Sequence, residues 1–467
     1  MPSKQLSLLD ATTIIVGSMI GSGIFLAPAL IAQIVQASHL GPGTFITIWI
    51  VGGFLTLCGA LSYGELAASL PRTGGQYVFL RAAYSPLWAF LYGWTQFSVV
   101  QSGFIAAVAI AFANYLGVFL PGVSQTAIVL DLAGFRISTV QLAAIVLIIL
   151  LTWLNARGLR EGSLFQNIFT AAKVAALLAL VIAGLLSGQG STAHFQPLFP
   201  STLSMATLAG IAVAMSKALF AYDAWNIVTF VAEQTHQPER TLPRALFAGT
   251  FAVTILYTLA SLVYLYILPI DQAAAVPGQR IAATVSQILL GPVGVSLISF
   301  AILLSTAGCV NGLILSGPWL YYAMARDRLF FRGAAQLHPE RNMPTGSLNR
   351  QMIWSILLIL TGSLGTRGAQ LYSDLLTFTS FASLLFNALT VAGLFVLRRS
   401  QPNLPRPYQV IGYPVVPALY LITALFFLIF IAVGDPRNAG FGFAVILLGI
   451  PLYLFWNRDA TFAQASR

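Results

Sequence analysis

Apolar runs of membrane-spanning length alternate with short polar links along the whole chain. Twelve such runs lie near residues 8–36, 43–69, 86–119, 138–156, 163–187, 203–232, 243–268, 291–325, 350–366, 371–397, 413–434 and 438–457. A helix crosses a bilayer with roughly 20 mainly apolar residues, so each run predicts one transmembrane helix. The tenth and eleventh runs are joined by a basic, Pro-rich link from Arg398 to Pro414. No soluble domain and no low-complexity tract is visible.

Two runs are interrupted by residues that a plain membrane helix does not need. In the first, Gly17-Ser18-Met19-Ile20-Gly21-Ser22-Gly23-Ile24-Phe25 places three glycines and two serines at mid-depth. Glycine costs a helix about 1 kcal/mol relative to alanine. Backbone freed in hydrocarbon must find other partners. The run therefore predicts a helix broken around Ser18–Gly23, lining a buried polar cavity. In the sixth, Phe220-Ala221-Tyr222-Asp223-Ala224-Trp225-Asn226 carries an acid. An acid at membrane depth costs about 2.5–3.5 kcal/mol on insertion scales, so it faces a cavity or a partner.

Runs one and six are each the first of five if the chain divides as runs 1–5 and 6–10. Five spans per half make the halves opposite in orientation. Paired interruptions at matching places are the mark of an inverted-repeat carrier. The expected architecture is an all-α membrane protein of twelve helices, a 5+5 inverted repeat with helices one and six broken, plus two peripheral helices. The expected units are residues 1–190, 200–400 and 408–467.

Composition agrees and adds an orientation. Residues are 58% hydrophobic and only 8% charged, against about 25% charged in soluble domains. With the N-terminus inside, 17 of the 23 Lys and Arg residues fall on the cytoplasmic side. Four lie opposite (Arg136, Arg280, Arg367 and Arg437), and Lys173 and Lys217 lie within runs. That asymmetry predicts cytoplasmic termini in a plasma (inner) membrane. It also accounts for the net charge of +10 without a nucleic-acid partner. The N-terminus shows no removable signal peptide.

Candidate chemistry is sparse. Cys58 and Cys309 are the only cysteines and both fall inside runs, so no external disulfide is expected. The four histidines are scattered over links and run ends, without metal-ligand spacing. No cofactor or metal is expected. An intramembrane enzyme would need a His, Cys or paired-acid constellation at depth, and a channel would need a repeated filter or charged ring.

The broken helices carry chemistry of their own. A half-helix beginning near Ser22 offers free N–H groups to an anion. Half-helices ending near Ser18 and Ala221 offer carbonyls to a cation. Lys173 sits deep in run five among apolar neighbours. Its ammonium must bond carbonyls, fill a cation position or snorkel to the inner surface. Asp223 has two open roles, engaging a cationic side chain or bonding the unwound backbone. Lys217 is a possible partner for it. Glu65 and Glu233 sit near cytoplasmic run ends, either tying helices to arginines or solvated.

The chain resembles the L-amino-acid transporter branch of the amino acid–polyamine–organocation superfamily over nearly its whole length. The matching stretches are Gly17–Phe25, Ser62–Leu66 and Pro71–Tyr77. They continue with Phe220–Asn226, Phe230–Glu233 and Pro238–Pro243, and end with Leu304–Gly312. The resemblance implies a sodium-independent permease for neutral L-amino acids, working by alternating access and exchange. Proton-coupled symport and amine or polyamine antiport remain as alternatives.

It implies substrate contacts at Ser18, Met19, Gly21, Ser22, Gly23, Phe220, Ala221, Tyr222 and Asp223, with Phe220 as an aromatic gate. It implies that Lys173 stands in for a sodium ion, with Ser305 or Thr306. It adds Asn311 to Glu65 and Glu233 in a gate set. Three departures stand out: Ala224 where relatives often have glycine, Pro318-Trp319 where they often carry Ser-Arg, and no external cysteine for a covalent heavy subunit.

Overall fold

A computed structural model describes residues 5–132, 135–199, 204–361 and 368–465. Of the cations counted above, Lys4, Arg367 and Arg467 lie outside that set. The first half contains α1 (Leu8–Met19), α2 (Gly23–Ala37), α3 (Pro42–Ser69), α4 (Gln76–Ala83), α5 (Pro86–Thr95), α6 (Gln101–Leu116), α7 (Thr139–Arg157) and α8 (Leu159–Leu186). The second contains α9 (Met205–Tyr222), α10 (Pro238–Ile267), α11 (Ile270–Ala274), α12 (Ile281–Arg326), α13 (Thr345–Thr361), α14 (Gly368–Ser400), α15 (Val415–Gly434) and α16 (Pro436–Ala465).

Eleven helical stretches among the described residues are long and apolar enough to cross a membrane. The run at 350–366 is represented by α13, whose 17 residues rise about 26 Å, short of a ~30 Å hydrocarbon core. Residues 362–366 of that run lie outside the described set. One difference from the all-α expectation is a β-hairpin in the link after α6. There β1 (Ile128–Leu132) pairs antiparallel with β2 (Phe135–Ser138). Asp131 and Arg136 close it with an ion pair at 2.9 Å.

Two helices break inside the bundle. α1 starts with a reciprocal cap, Ser7 Oγ accepting from Asp10 N–H and Asp10 Oδ2 accepting from Ser7 N–H. It stops at Ile20, whose ψ of 82° leaves helical geometry, and α2 restarts at Gly23. α9 stops at Asp223, extended at ψ 177°. Ala224 then turns left-handed at φ 70°, and a 3-10 segment runs Trp225–Gln234. A left-handed φ costs a residue with a Cβ, which is why glycine is the usual occupant of such positions. α12 kinks at Gly291, φ 63° and ψ −151°, a conformation that only glycine adopts readily.

Packing places the breaks at the centre. α1 lies against α10, α8 and α12, and α2 against α9. Of the most apolar window in α1–α2, 94% is buried, against 22% in Ala439–Trp456. The broken helix is thus core, and α16 is rim.

Candidate substrate site

Every carbonyl oxygen from Gly17 to Gly21 receives a donor from another helix. Lys173 of α8, 1% exposed, donates to Gly17 O at 2.8 Å, Ile20 O at 2.7 Å and Ser305 O at 2.7 Å. An ammonium has three protons, and all three find an acceptor. Ser305 Oγ of α12 donates to Ile20 O at 2.9 Å and reaches Gly21 O at 3.3 Å. Cys309 Sγ donates to Ser18 O at 3.0 Å. The Tyr257 hydroxyl of α10 lies 2.6 Å from Met19 O and 3.2 Å from Ala221 O, so one proton is shared between the two breaks. This is the condition for non-helical backbone at membrane depth: freed groups are satisfied by protein or face a cavity.

The two breaks also touch directly. A Cβ built on Gly23 would lie 2.7 Å from Ala221 Cβ and 2.8 Å from Ala221 Cα. Around this crossing is a small cavity lined by Ser18, Met19, Gly21, Ser22, Gly23, Phe220, Ala221 and Asp223 from the broken helices. Phe104 and Val108 of α6 and Cys309 of α12 complete it. The first amides of a helix have no acceptor within it, so the start of α2 brings N–H groups to this cavity. Phe220 stacks on Phe104, with centroids 4.5 Å apart and planes within 8°. Those two rings form one wall.

The other expected residues fall in three places. Tyr222 points away from the cavity: its hydroxyl donates to Trp49 O at 2.9 Å and its ring packs on Trp49 and Tyr257. Thr306 bonds back to its own helix, at Ile302 O, and makes no bond with Lys173. Asp223 Oδ1 accepts from Ala224 N–H at 2.8 Å, while Oδ2 has no hydrogen-bond partner.

The three residues expected in a gate fall as follows. Glu65, 1% exposed, accepts from Arg398 at 2.8 and 2.6 Å and from the Val410 amide at 2.8 Å, with Arg406 at 3.5 Å. It therefore holds α3, α14 and the following link together. Asn311 donates to Gly162 O and Gln166 Oε1 and accepts from Asn155, joining α12 to α7 and α8. Glu233 is half-buried and forms no ion pair among the described residues.

Two further ties were not expected from the sequence. Arg81 pairs with Asp327, which also accepts from the Tyr77 hydroxyl at 2.8 Å. Burial, and then the Asp327 carboxylate, hold that phenol above its usual range, so it stays a donor. Residues 5–6 lie along the end of the 3-10 segment, with Gln5 and Leu6 N–H on Gln234 O and His236 N–H on Leu6 O. Tyr257 and Phe104, which shape the site most directly, gave no sequence signal. Each is one aromatic in an apolar run, among 16 Tyr and 32 Phe.

Paired helix breaks around a small buried cavity, in a chain of membrane-spanning helices, define a polytopic membrane protein of the carrier class. The chain belongs to the amino acid permease family, whose model matches residues 6–455. It is 32% identical over 459 residues to the large neutral amino acids transporter small subunit 2 of Homo sapiens, covering 97% of this chain and 81% of that one. It is 30% identical to the b(0,+)-type amino acid transporter 1 of Mus musculus, over 93% of this chain and 83% of that one. To the serine/threonine exchanger SteT of Bacillus subtilis (strain 168) it is 27% identical, over 96% of each.

Proposed function

We propose that this protein exchanges L-amino acids across the plasma membrane by alternating access, without sodium. The observation that carries the reading is Lys173, whose ammonium binds three carbonyls at the first break. A fixed cation there occupies the kind of carbonyl nest in which a coupling ion would otherwise bind. Membership of the amino acid permease family and the names of the relatives support the substrate class and exchange.

On this reading the substrate carboxylate meets the amides at Ser22 and Gly23. Its ammonium meets carbonyls at the ends of α1 and α9, near Ser18, Met19 and Ala221. Phe220 closes over it with Phe104. Ser305 supports Lys173 directly, and Thr306 shapes the helix beside it. Glu65, Asn311 and Glu233 belong to the inner gate. The architecture we propose is twelve helices in a 5+5 inverted repeat, with residues 1–190 and 200–400 as the repeats and 408–467 peripheral. Both termini are cytoplasmic. Cys58 and Cys309 are both 3% exposed, which favours a carrier with no covalently attached second subunit.

Proteoliposomes test this. Radiolabelled amino acid uptake is expected to need an amino acid inside and to be equal in sodium and choline buffers. Strict sodium dependence, or equal uptake into empty vesicles, overturns it. Uptake driven by an acid-outside gradient into empty vesicles would show proton symport instead.

A further inference from the structure

α2 leads away from the N-terminal half-helix, and a large cavity lies along it. Leu26 and Gln33 of α2, Ile110 and Asn114 of α6 and the links after α6 and α11 border a space of about 940 Å³. The cavity at the helix crossing holds about 10 Å³. Both are built on the same two helices. Leu26 follows Gly23 by three residues and Ile110 follows Val108 by two, so one cavity gives way to the other within about 5 Å of helix. In the orientation proposed above, the larger one faces the outside.

Its charge is one-sided. Among the described lining residues Arg280 is the one cation, and none is Asp or Glu. Arg280 forms no ion pair among the described residues. Asp271 of α11 is exposed and forms none either. The Arg280 guanidinium lies over the ring of Tyr115, 5.3 Å from its centroid, and Tyr115 is 2% exposed. A cation–π contact with a buried ring holds the guanidinium in place. A planar fork so held matches a carboxylate. On the same wall Gln125 donates to Asn114 Oδ1 at 3.2 Å, a bond that leaves the Asn114 NH2 group to donate. A zwitterion would also bring an ammonium, for which these walls hold no acid.

The rest of the lining is mainly apolar and includes Ile110, Val118, Val123 and Val276. Pockets for drug-sized ligands span about 300–1,000 Å³ and combine apolar walls with a few placed polar groups. A small amino acid fills only a fraction of such a space.

We propose that this outer cavity binds organic carboxylates with a bulky apolar body, Arg280 holding the carboxylate, and that a bound ligand blocks the route to the substrate cavity. The binding half rests on the cavity alone, and the blocking half rests on the amino acid exchange reading.

2-Naphthylacetate and 2-naphthylacetamide share a ring system and differ in charge, so they isolate the contact with Arg280. Calorimetric titration of the purified full chain at low salt is expected to favour the acid by about tenfold or more, the scale of a charge-assisted bond. Acetate, which lacks the apolar body, is expected to bind more weakly than naphthylacetate by at least about tenfold. In Arg280→Gln the acid-to-amide ratio is expected to fall to near one. Arg280→Lys keeps the charge without the fork and is expected to keep part of the ratio. The wild-type ratio needs no variant, so a poorly folding Arg280→Gln leaves the proposal testable. A wild-type ratio near one, or a ratio unchanged in Arg280→Gln, overturns the site. So does full displacement of naphthylacetate by a saturating transported amino acid, which puts the probe in the substrate cavity. In proteoliposomes, external naphthylacetate is expected to lower exchange severalfold in the wild type and less in Arg280→Gln. Undiminished exchange at a saturating dose overturns the blocking half. If no amino acid exchanges at all, the transport reading and the blocking half fail together, and the titrations still decide the site.

Discussion

Gly23 and Ala221 meet where the two broken helices cross, with 2.7 Å between a Cβ added to the glycine and the alanine methyl. Real carbon atoms do not approach so closely. The crossing is backbone against backbone, and any side chain at residue 23 drives the half-helices apart.

Gly23→Val is therefore expected to abolish amino acid binding. Gly23→Ala is expected to weaken binding and to destabilise by ~1–3 kcal/mol, the usual cost of overpacking. Calorimetric titration of the purified variants checks this, with thermal unfolding to confirm that they fold. Wild-type affinity in Gly23→Val would move the site elsewhere.

Removing the Lys173 ammonium leaves Gly17 O and Ser305 O without the donor they have now. Lys173→Ala is expected to suppress exchange by at least about tenfold, on the scale of one or more buried hydrogen bonds lost. Lys173→Arg is not expected to restore it, because a planar guanidinium cannot replace a compact ammonium among three converging carbonyls. Exchange assays on monodisperse protein read the effect. Full activity in Lys173→Ala would remove the residue from the mechanism.

Tyr257→Phe deletes one oxygen and leaves the ring. Met19 O keeps the Gly21 amide at 2.9 Å, so its loss is partial. Ala221 O loses the tie to the first break. The expected result is a stability loss of ~1–2 kcal/mol together with a raised KM for exchange. An unchanged KM would mean that the shared proton is structural only.

Glu65→Ala leaves Arg398 and Arg406 without their carboxylate. Loss of one member of a buried pair costs ~3–5 kcal/mol. Arg398 is 21% exposed, which puts the expected loss near ~3 kcal/mol. Thermal unfolding in detergent measures it, and substrate affinity at the distant cavity is expected to change little.

Both helix breaks fall inside the polar runs that interrupt the apolar sequence. Glycine, serine and aspartate stand out there because hydrocarbon makes them expensive. Lys173 was conspicuous for the same reason, and its carbonyl partners at Gly17 and Ile20 lie in the same polar run. Tyr257 and Phe104 were illegible, since an aromatic in an apolar run is unremarkable until its neighbours are known. Tyr222 shows the converse. Its place beside Asp223 in sequence suggests the cavity, but one step along a helix turns a side chain by about 100°, and it faces Trp49 instead. The hairpin after α6 and the Leu6–Thr235 pairing depend on contacts between segments that local sequence pattern does not encode.

The ammonium of Lys173 is bonded to the chain through its own side chain. A sodium ion in the same nest could arrive from one compartment, leave to the other and bring the energy of its descent with it. This charge can do neither. It braces the break from within the chain, through Gly17 O, Ile20 O and Ser305 O. On the proposed reading, a carrier so braced has no sodium gradient to draw on. Its net flow, on the same reading, follows the concentrations of the solutes it exchanges.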